Sequence, residues 1–420
     1  MSEIQTNWAG NYTYTAAEWH FPKSVAEVQE VVRSCSKLRA VGSRHSFNGI
    51  ADSPQNMISL THCDQILELD RERRTVTVEG GIRYGQLARV LHAEGYALHN
   101  LASLPHISVA GACATATHGS GVGNGNLATA VRALDFVSAN GDLVSLSRDR
   151  DAETFPGIAV GLGVFGIITR MTLDIDPTFN VRQDVYDNLP LDTLLSRFDE
   201  IVSSAYSVSL FTDWRGPTIN QLWLKSLAMD AASSPAPSER FGATLATVPR
   251  HPLIEISAEN CTQQLGAPGP WHERLPHFRM DFMPSAGEEL QTEYIVPRQY
   301  AVESLRGLFA MREQIAPLLQ ISEIRTVAAD DLWMSPCYRL DCVALHFTWL
   351  KDWPGVRTLL PQIEAALEPF DARPHWGKLF TTPPARLQSL FTKLPDFQRL
   401  VQSYDPRGKF RNEFLDMLFL

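Results

Sequence analysis

Two clusters of small residues near the N-terminus decide the fold of this chain: Gly42-Ser43-Arg44-His45-Ser46 and Thr115-Ala116-Thr117-His118-Gly119-Ser120-Gly121. Each cluster follows a strand-like run, and each would expose several backbone N–H groups at a tight turn. Successive backbone N–H groups in such turns form concave sites for anions. Two of these turns in one domain predict a cradle for a pyrophosphate, and the histidine in the first turn could reach the ligand covalently.

Composition argues against several classes of function. The chain has 420 residues, enough for two or three domains, and a formal net charge of −10. A nucleic-acid partner would usually need a basic patch, so we expect none. The N-terminal residues lack the basic and apolar regions of a signal peptide, and no stretch is long enough to cross a bilayer. The six cysteines have neither CxxC nor zinc spacing, so we expect reduced thiols, no bound metal and a cytoplasmic location.

The first 177 residues alternate helices with short strands. Ser24 and Glu27 match a capping box, which predicts that a helix begins there. Two apolar runs, 134–137 and 143–146, flank Asn140-Gly141, a strong hairpin signal. No GxGxxG motif joins a strand to a helix, so the pattern is not that of a dinucleotide-binding Rossmann domain. It predicts an α+β domain.

Two later strands, 321–328 and 342–350, each present polar side chains on one face. Side chains alternate between the faces of a strand, so Glu323 and Arg325 share one face, and His346 and Thr348 share one face of the other strand. Amphipathic helices at 302–315 and 356–367 would cover the apolar faces. An ordinary solvated sheet face with a Glu–Arg pair is the alternative interpretation. A face that both donates and accepts hydrogen bonds suits a neutral ligand rich in hydroxyls.

Further motifs are spread over essentially the whole length of the chain. They are Asn7-Trp8-Ala9-Gly10-Asn11, the first glycine turn extended to Phe47-Asn48, Leu101-Ala102-Ser103-Leu104-Pro105-His106-Ile107-Ser108-Val109-Ala110-Gly111, Thr117-His118-Gly119-Ser120-Gly121, Glu323-Ile324-Arg325-Thr326, His346-Phe347-Thr348-Trp349, Arg373-Pro374-His375-Trp376-Gly377-Lys378 and Asp405-Pro406-Arg407-Gly408-Lys409-Phe410. With these motifs the chain resembles the FAD-linked oxidases of the vanillyl-alcohol oxidase type and, within them, the alditol (xylitol) oxidases. The two glycine turns indicate only the superfamily, whereas the other motifs are more specific.

The resemblance implies a two-domain α+β flavoprotein. Its FAD-binding domain would comprise residues 1–177 and 375–420. Residues 178–374 would form a substrate-binding cap domain with an antiparallel sheet covered by helices.

The resemblance also implies FAD bound covalently through His45. His118 is expected to be structural rather than chemical, and His375 either contacts the flavin or packs beside Trp376. The other implied flavin contacts are Gly42, Ser43, Arg44, Ser46, Ser103, Ser108, Val109, Gly111, Thr115, Thr117, His118, Gly119 and Ile168.

The implied reaction transfers a hydride from a primary carbinol carbon to flavin N5, with loss of the hydroxyl proton. Arg325 and Lys378 would stabilise the developing alkoxide. Glu323 would accept hydrogen bonds from the substrate and hold Arg325. Molecular oxygen would then take the electrons, forming hydrogen peroxide. The implied substrate-binding residues are Ser103, Glu323, Arg325, Thr348 and Lys378, with His346 as a further candidate.

Two other functions stay open from the sequence. A sugar-lactone (aldonolactone) oxidase or dehydrogenase would share the glycine turns, and a flavin-bearing protein could bind polyols without catalysis. We expect a monomer with no membrane partner. The preferred polyol and the group that accepts the proton are not visible in the sequence.

Overall fold

A computed structural model describes residues 5–228, 236–282 and 288–419. Within these ranges the α-helices are α1 (Val25–Ser34), α2 (Tyr84–Ala93), α3 (Val109–Ala114), α4 (Phe155–Ala159), α5 (Leu191–Ser196), α6 (Phe198–Val202), α7 (Ala301–Ala310), α8 (Arg312–Ile315), α9 (Trp353–Leu367), α10 (Pro384–Leu390), α11 (Leu394–Tyr404) and α12 (Glu413–Asp416). The strands are β1 (Glu18–His20), β2 (Leu38–Ala40), β3 (Asn56–Ile58), β4 (Ile66–Asp70), β5 (Thr75–Glu79), β6 (Tyr96–Ala97), β7 (Val131–Val137), β8 (Leu143–Ser147), β9 (Ile167–Asp174), β10 (Asp176–Pro177), β11 (Asn180–Pro190), β12 (Ser207–Thr212), β13 (Thr218–Leu227), β14 (Glu239–Arg240), β15 (Ala243–Leu245), β16 (Gly269–Pro270), β17 (Glu289–Pro297), β18 (Leu319–Val327), β19 (Cys342–Leu350) and β20 (Arg373–Pro374). This mixture of helices and largely antiparallel strands confirms the α+β prediction.

The N-terminal region contains a five-stranded antiparallel sheet in the order β4-β5-β9-β7-β8 and a small parallel sheet in the order β1-β3-β2. Strands β7 and β8 form the predicted hairpin, in which Ser138 donates its N–H to the carbonyl of Asp142 at 2.9 Å. Gly141 has a φ of +83° there, a conformation that glycine adopts without strain.

The start of α1 follows the prediction only in part. Ser24 is the N-cap, and its hydroxyl accepts the N–H of Glu27 at 3.3 Å. The Glu27 carboxylate accepts the N–H of Lys23 at 2.9 Å, not that of Ser24. The helix therefore has the hydroxyl half of a capping box and a carboxylate bond shifted by one residue.

The larger sheet runs β14-β15-β11-β13-β12-β18-β19-β17-β20 and carries the polar strands at its centre. Leu345 and Phe347 of β19 lie in one hydrophobic cluster with Leu305 of α7 and Leu360 of α9. The predicted arrangement, an antiparallel sheet with helices on its apolar face, is thus confirmed. Burial of that face turns the polar positions of β18 and β19 to the other side of the sheet.

After β20 the chain leaves this sheet and returns to the N-terminal region. Trp376 and Phe397 are buried in the same hydrophobic cluster as Val109 and Phe165. The carbonyl of Gly377 accepts the backbone N–H of Phe47 at 2.7 Å. The segment 375–378 is therefore held between the first glycine turn and the polar face of the larger sheet.

Within the described ranges, no helix has both the length and the apolar composition to cross a membrane. All six cysteines are buried and free of disulfide bonds. Burial raises the pKa of the Cys113 thiol to about 12, so this thiol stays protonated and unreactive at neutral pH.

Candidate active site

A cavity of about 630 Å³ lies between the glycine turns and the polar face of the larger sheet. Most of the site residues expected from the sequence line it. They are Gly42, Ser43, Arg44, His45, Ser46, Ser103, Ser108, Gly111, Thr115, Thr117, His118, Ile168, Glu323, Arg325, His346, Thr348, His375 and Lys378. Its volume is within the range of about 300–1,000 Å³ that is typical of small-molecule sites.

The first glycine turn packs directly against the start of α3. A Cβ atom on Gly42 would stand 2.1 Å from Oγ and 3.2 Å from Cβ of Ser108, so the Ser108 side chain would have to move to admit a larger residue. The hydroxyl of Ser43 accepts the backbone N–H of Ser108 at 3.2 Å. Arg44 has a φ of +63°, and a non-glycine residue in this conformation stores strain of the kind found at functional sites.

His45 is buried in this turn with one ring nitrogen unpaired. Its Nδ1 lies 3.0 Å from the carbonyl oxygen of Ser43, which can only accept, so Nδ1 carries the proton. Nε2 has no hydrogen-bond partner among the residues that the structure describes. The ring stacks on Trp8 at 5.2 Å between centroids. Burial lowers the pKa of His45 to about 4, so the ring is neutral, the form that can act as a nucleophile.

These features fit the FAD that the sequence predicts. The turns leave room along the cavity for an extended ligand, and a neutral imidazole with an orphaned, buried nitrogen stands at its wall. A buried polar atom without a partner is uncommon and calls for an explanation. A bond from Nε2 of His45 to a bound group would give this nitrogen the partner that it lacks.

The second glycine cluster, residues 115–121, follows a different kind of element from the one expected. It follows helix α3, not a strand, so that expectation was wrong. Two predicted flavin contacts, Val109 and Gly119, do not line the cavity. The side chain of Val109 is buried in the N-terminal core, and its N–H donates to the carbonyl of Ile82 at 2.9 Å. This N–H is therefore occupied within the protein.

A row of three polar side chains crosses the centre of the larger sheet. Glu323 of β18, His346 of β19 and Glu293 of β17 are direct cross-strand partners. Adjacent strands lie about 4.8 Å apart, so these side chains stand next to one another on the cavity wall. The sequence analysis identified the first two residues and missed Glu293.

Glu293 joins the two cations expected from the sequence. Its Oε1 accepts from Nη2 of Arg325 at 2.8 Å, and its Oε2 accepts from Nζ of Lys378 at 2.6 Å. Nε2 of His118 lies 3.2 Å from Oε1. Burial alone would raise the pKa of Glu293, but Lys378, His118 and Arg325 outweigh burial and hold that pKa well below its usual value. The carboxylate is therefore ionised.

Lys378 has a second close partner. Its Nζ donates to Nδ1 of His346 at 2.7 Å, and Nε2 of His346 lies 3.1 Å from Oγ1 of Thr348. Burial lowers the pKa of Lys378 below its usual value, and Glu293 opposes that change. Burial and the Lys378 charge lower the pKa of His346 to about 4, so its ring is neutral at pH 7.

Glu323 pairs with Arg325, but from farther away than Glu293 does. Its Oε2 lies 3.6 Å from Nε of Arg325, a longer contact than the one that Glu293 makes. Its Oε1 lies 2.7 Å from Nε2 of His277, a residue that the sequence analysis did not single out. Burial would raise the pKa of Glu323, but Arg325 and then His277 reverse the effect and lower it.

Ser103 and His375 complete the wall. Nη1 of Arg325 donates to Oγ of Ser103 at 3.3 Å. Nδ1 of His375 accepts the N–H of Gly377 at 3.1 Å, and the His375 and His118 rings are 6.2 Å apart. Trp376 points away into the core, where its indole N–H donates to the carbonyl of Met334 at 2.7 Å. His375 therefore faces the cavity, while Trp376 packs in the hydrophobic core.

A sequence signal for Glu293 did exist. In β17 the polar residues Glu289, Gln291 and Glu293 alternate with Leu290, Thr292 and Tyr294. This is the same period-two pattern that identified β18 and β19. His277 has no such signal, because it lies in an irregular segment between β16 and β17.

The cluster can bind and polarise a neutral hydroxyl. Arg325 and Lys378 donate, while the carboxylates of Glu293 and Glu323 supply acceptors. Two cations and two carboxylates balance in charge. The arrangement therefore suits an uncharged polar ligand on which negative charge develops during reaction.

Sequence comparisons with known proteins match the chain to a flavin-binding domain and to oxidases of sugar alcohols and sugar lactones. A family profile described as an FAD binding domain matches residues 19–147, and one described as D-arabinono-1,4-lactone oxidase matches residues 283–418. The chain is 48% identical to an alditol oxidase of a Streptomyces species over 99% of both chains. It is 26% identical to L-gulonolactone oxidase of Mus musculus, covering 98% of this chain and 97% of that one.

Solved structures with the same fold share little sequence with this chain. Cholesterol oxidase from B. sterolicum superimposes with a TM-score of 0.80 at 15% identity, covering 100% of this chain and 97% of that one. At this identity the likeness concerns the fold alone, an FAD-binding domain joined to a cap domain.

Proposed function

This chain belongs to the alditol oxidase family, and on that premise we propose that it oxidises the terminal primary hydroxyl of polyols such as xylitol or sorbitol to the aldose. It is an FAD-dependent oxidoreductase acting on CH–OH donors. The observation that carries the proposal is the Glu293 carboxylate, which holds Arg325 and Lys378 together at the cavity wall.

The chemistry that FAD would supply when bound is acceptance of the hydride and transfer of two electrons to O2, which with two protons would give H2O2. The first glycine turn, the start of α3 and the stretch from Thr115 to His118 would hold FAD, and a ring nitrogen of His45 would bind it covalently. We assign residues 1–177 and 375–420 to the FAD-binding domain and 178–374 to the cap domain.

The chain's own residues bind and orient the alcohol. Arg325 and Lys378 donate hydrogen bonds to its terminal oxygen and stabilise the negative charge that develops as the hydroxyl proton leaves. Loss of that proton and of a hydride from the adjoining carbon converts the primary alcohol to an aldehyde. Glu293 and Glu323 together balance the charge of the two cations beforehand, so that the pair binds a neutral alcohol instead of retaining an anion.

Further hydroxyls of the polyol meet the remaining polar groups of the cavity. Glu323 accepts hydrogen bonds from them, and Ser103 and Thr348 both donate and accept. A substrate with one hydroxyl would leave the remaining hydrogen-bonding capacity of these groups unused. The site therefore favours polyols over simple alcohols.

The test is the visible spectrum of the purified yellow protein after anaerobic addition of xylitol, followed by exposure to air. We expect bleaching that reverses promptly in air, with peroxide formed. Bleaching that persists in air would indicate a dehydrogenase. No bleaching with xylitol or sorbitol, but bleaching with L-gulono-1,4-lactone, would favour a lactone-oxidising enzyme. Polyol binding without any bleaching would indicate a non-catalytic protein.

The match of residues 283–418 to a lactone oxidase profile makes the lactone arm of this test necessary. Glu293, Arg325 and Lys378 all lie within that match. The cytoplasmic location and the monomeric state stay predictions of the sequence.

A further inference from the structure

Behind Glu323 lies a buried lysine that the proposed mechanism does not use. Lys225 of β13 is 1% exposed, and its Nζ lies 3.0 Å from Nδ1 of His277. Nζ also donates to the backbone carbonyls of Leu275 and, at 3.2 Å, Pro276. Every proton of the ammonium group therefore has an acceptor inside the protein.

Hydrogen-bond counting assigns the protons along this chain of contacts. An ammonium group has three donors and no acceptor, so Nδ1 of His277 accepts from Lys225. The proton of the neutral imidazole is then on Nε2, which donates to Oε1 of Glu323 at 2.7 Å. A neutral amine at Lys225 would donate both its protons to the carbonyls and accept a hydrogen bond from Nδ1–H of His277. The ring would then be the other tautomer, with the lone pair of Nε2 facing the Glu323 carboxylate.

The surroundings keep the His277 ring in this orientation. Phe211 and Trp223 meet it edge-on, with ring centroids 5.5 and 5.3 Å away. Burial and the Lys225 charge lower the pKa of His277 to about 4, so the ring is neutral at pH 7. Burial lowers the pKa of Lys225 itself to about 7, and the Glu323 carboxylate opposes that change.

His277 also holds a second residue of the candidate site. Its backbone N–H donates to the carbonyl of Ser103 at 3.1 Å, and Oγ of Ser103 contacts Arg325. His277 thus joins the irregular segment between β16 and β17 to Glu323 through its side chain and to Ser103 through its backbone.

We propose that Lys225 and His277 are positioning residues, which hold the Glu323 carboxylate in the orientation that accepts the polyol hydroxyls. Lys225 sets the tautomer of His277, and His277 directs one oxygen of Glu323, leaving the other for the ligand. Partners behind a ligating side chain commonly orient it in this way. The inference rests on the proposed polyol-oxidising function.

The first test compares His277→Leu with His277→Gln in the flavin-loaded enzyme. Leu removes the donor to Glu323, whereas the Gln amide can place an N–H near the position of Nε2. We expect Leu to raise the KM for xylitol roughly tenfold or more, the effect of losing a hydrogen bond to a charged group, with a smaller change in kcat. The Gln variant should have a KM much closer to that of the wild type.

A second pair of variants tests the role of the lysine. Lys225→Met leaves Nδ1 of His277 without a donor, while Lys225→Gln retains one without the charge. We expect the Met variant to raise KM and the Gln variant to lie nearer the wild type. In ¹⁵N-histidine spectra of the holoenzyme recorded at a pH between the pKa values of His277 and Lys225, where Lys225 is protonated and His277 is neutral, the signal that disappears in His277→Gln should be that of a neutral Nε2–H ring.

Thr262→Val is the matched control for damage to the same segment. It removes a buried 2.7 Å hydrogen bond to the carbonyl of Pro276 and a longer one, of 3.3 Å, to the backbone carbonyl of His277, but it leaves the His277 ring and its contact with Glu323 in place. We expect a lower Tm and an unchanged KM. An unchanged KM in His277→Leu, or an Nδ1–H tautomer in the wild type, would overturn the inference while an active wild type upholds the function. A wild-type enzyme that oxidises no polyol would overturn both.

Discussion

Glu293 and Lys378 form a buried ion pair in which Oε2 and Nζ are 2.6 Å apart. Glu293 is 1% exposed, and its other oxygen binds Arg325 at 2.8 Å. Breaking a buried pair by removing one partner leaves an uncompensated charge, which is far more costly than losing a surface ion pair. One carboxylate on β17 therefore holds both of the cations that we place on the substrate oxygen.

Glu293→Gln is expected to impair catalysis more than FAD binding. The amide is close in shape but leaves Arg325 and Lys378 without a common counter-charge, so the two cations repel each other. We expect kcat for xylitol to fall on the order of a hundredfold, with yellow colour retained. Steady-state peroxide production measures the effect.

The matched control is Glu364→Gln. Glu364 accepts the hydroxyl of Tyr294, the residue after Glu293, at 2.9 Å and the N–H of Thr381 at 2.7 Å. This change should lower Tm and leave kcat near normal. If the two variants behave alike, Glu293 has only a structural role.

Lys378→Ala and Arg325→Ala should each lose most of kcat while retaining bound flavin. In the proposed mechanism both side chains donate toward the position where alkoxide charge develops, and one such preorganised donor is worth about 3 kcal/mol, or on the order of a hundredfold. Lys393→Ala, which removes a partly exposed lysine paired with Asp396, serves as control. Near-normal turnover of the first two variants would contradict their assignment.

Glu323→Gln should weaken polyol binding. The amide presents one acceptor oxygen where the carboxylate presents two, and it loses the charge-assisted contact with His277. We expect a higher KM for xylitol, measured beside the binding constant of the same polyol under anaerobic conditions. An unchanged KM would exclude direct contact between Glu323 and the substrate.

His45→Ala should release the flavin from the chain. In acid-precipitated protein, wild-type yellow colour should stay in the pellet, whereas the variant's colour should move to the supernatant. His106→Ala is a matched control, because His106 is also buried and its ring contacts the carbonyl of Met280 at 3.0 Å. Colour that stays with the precipitated His45→Ala chain would refute the covalent linkage.

Stability should fall as the pH drops from about 6.5 toward 4. His272, His277 and His346 have pKa values lowered to about 4, mainly by burial. Histidines of the unfolded chain take up protons near pH 6.5, so the unfolded state binds more protons throughout this window and gains stability. Denaturant midpoints at several pH values measure the slope.

His272→Phe provides the internal comparison for that slope. The residue lies outside the cavity, and its replacement removes one of the rings whose pKa burial lowers to about 4. The variant should therefore lose less stability on acidification than the wild type. A denaturant midpoint that stays constant or rises on acidification would contradict the argument.

Several local features could be predicted because short-range chemistry decides them. Asn140-Gly141 gave the hairpin of β7 and β8, and alternation in β19 correctly divided Leu345 and Phe347 from His346 and Thr348. The second glycine cluster was misplaced after a strand, because the small residues of α3 carry no clear helical periodicity. Glu293 was missed although β17 carries the alternation.

The amino-acid sequence by itself determined the α+β class, the two glycine turns, the polar face of β18 and β19 and the resemblance to flavin-linked oxidases. These depend on residue type and spacing along a continuous stretch of chain. Only the tertiary structure showed that Glu293 joins Arg325 to Lys378, and that Lys225 and His277 stand behind Glu323. Such contacts join strands far apart in sequence and depend on sheet register, which no local pattern specifies.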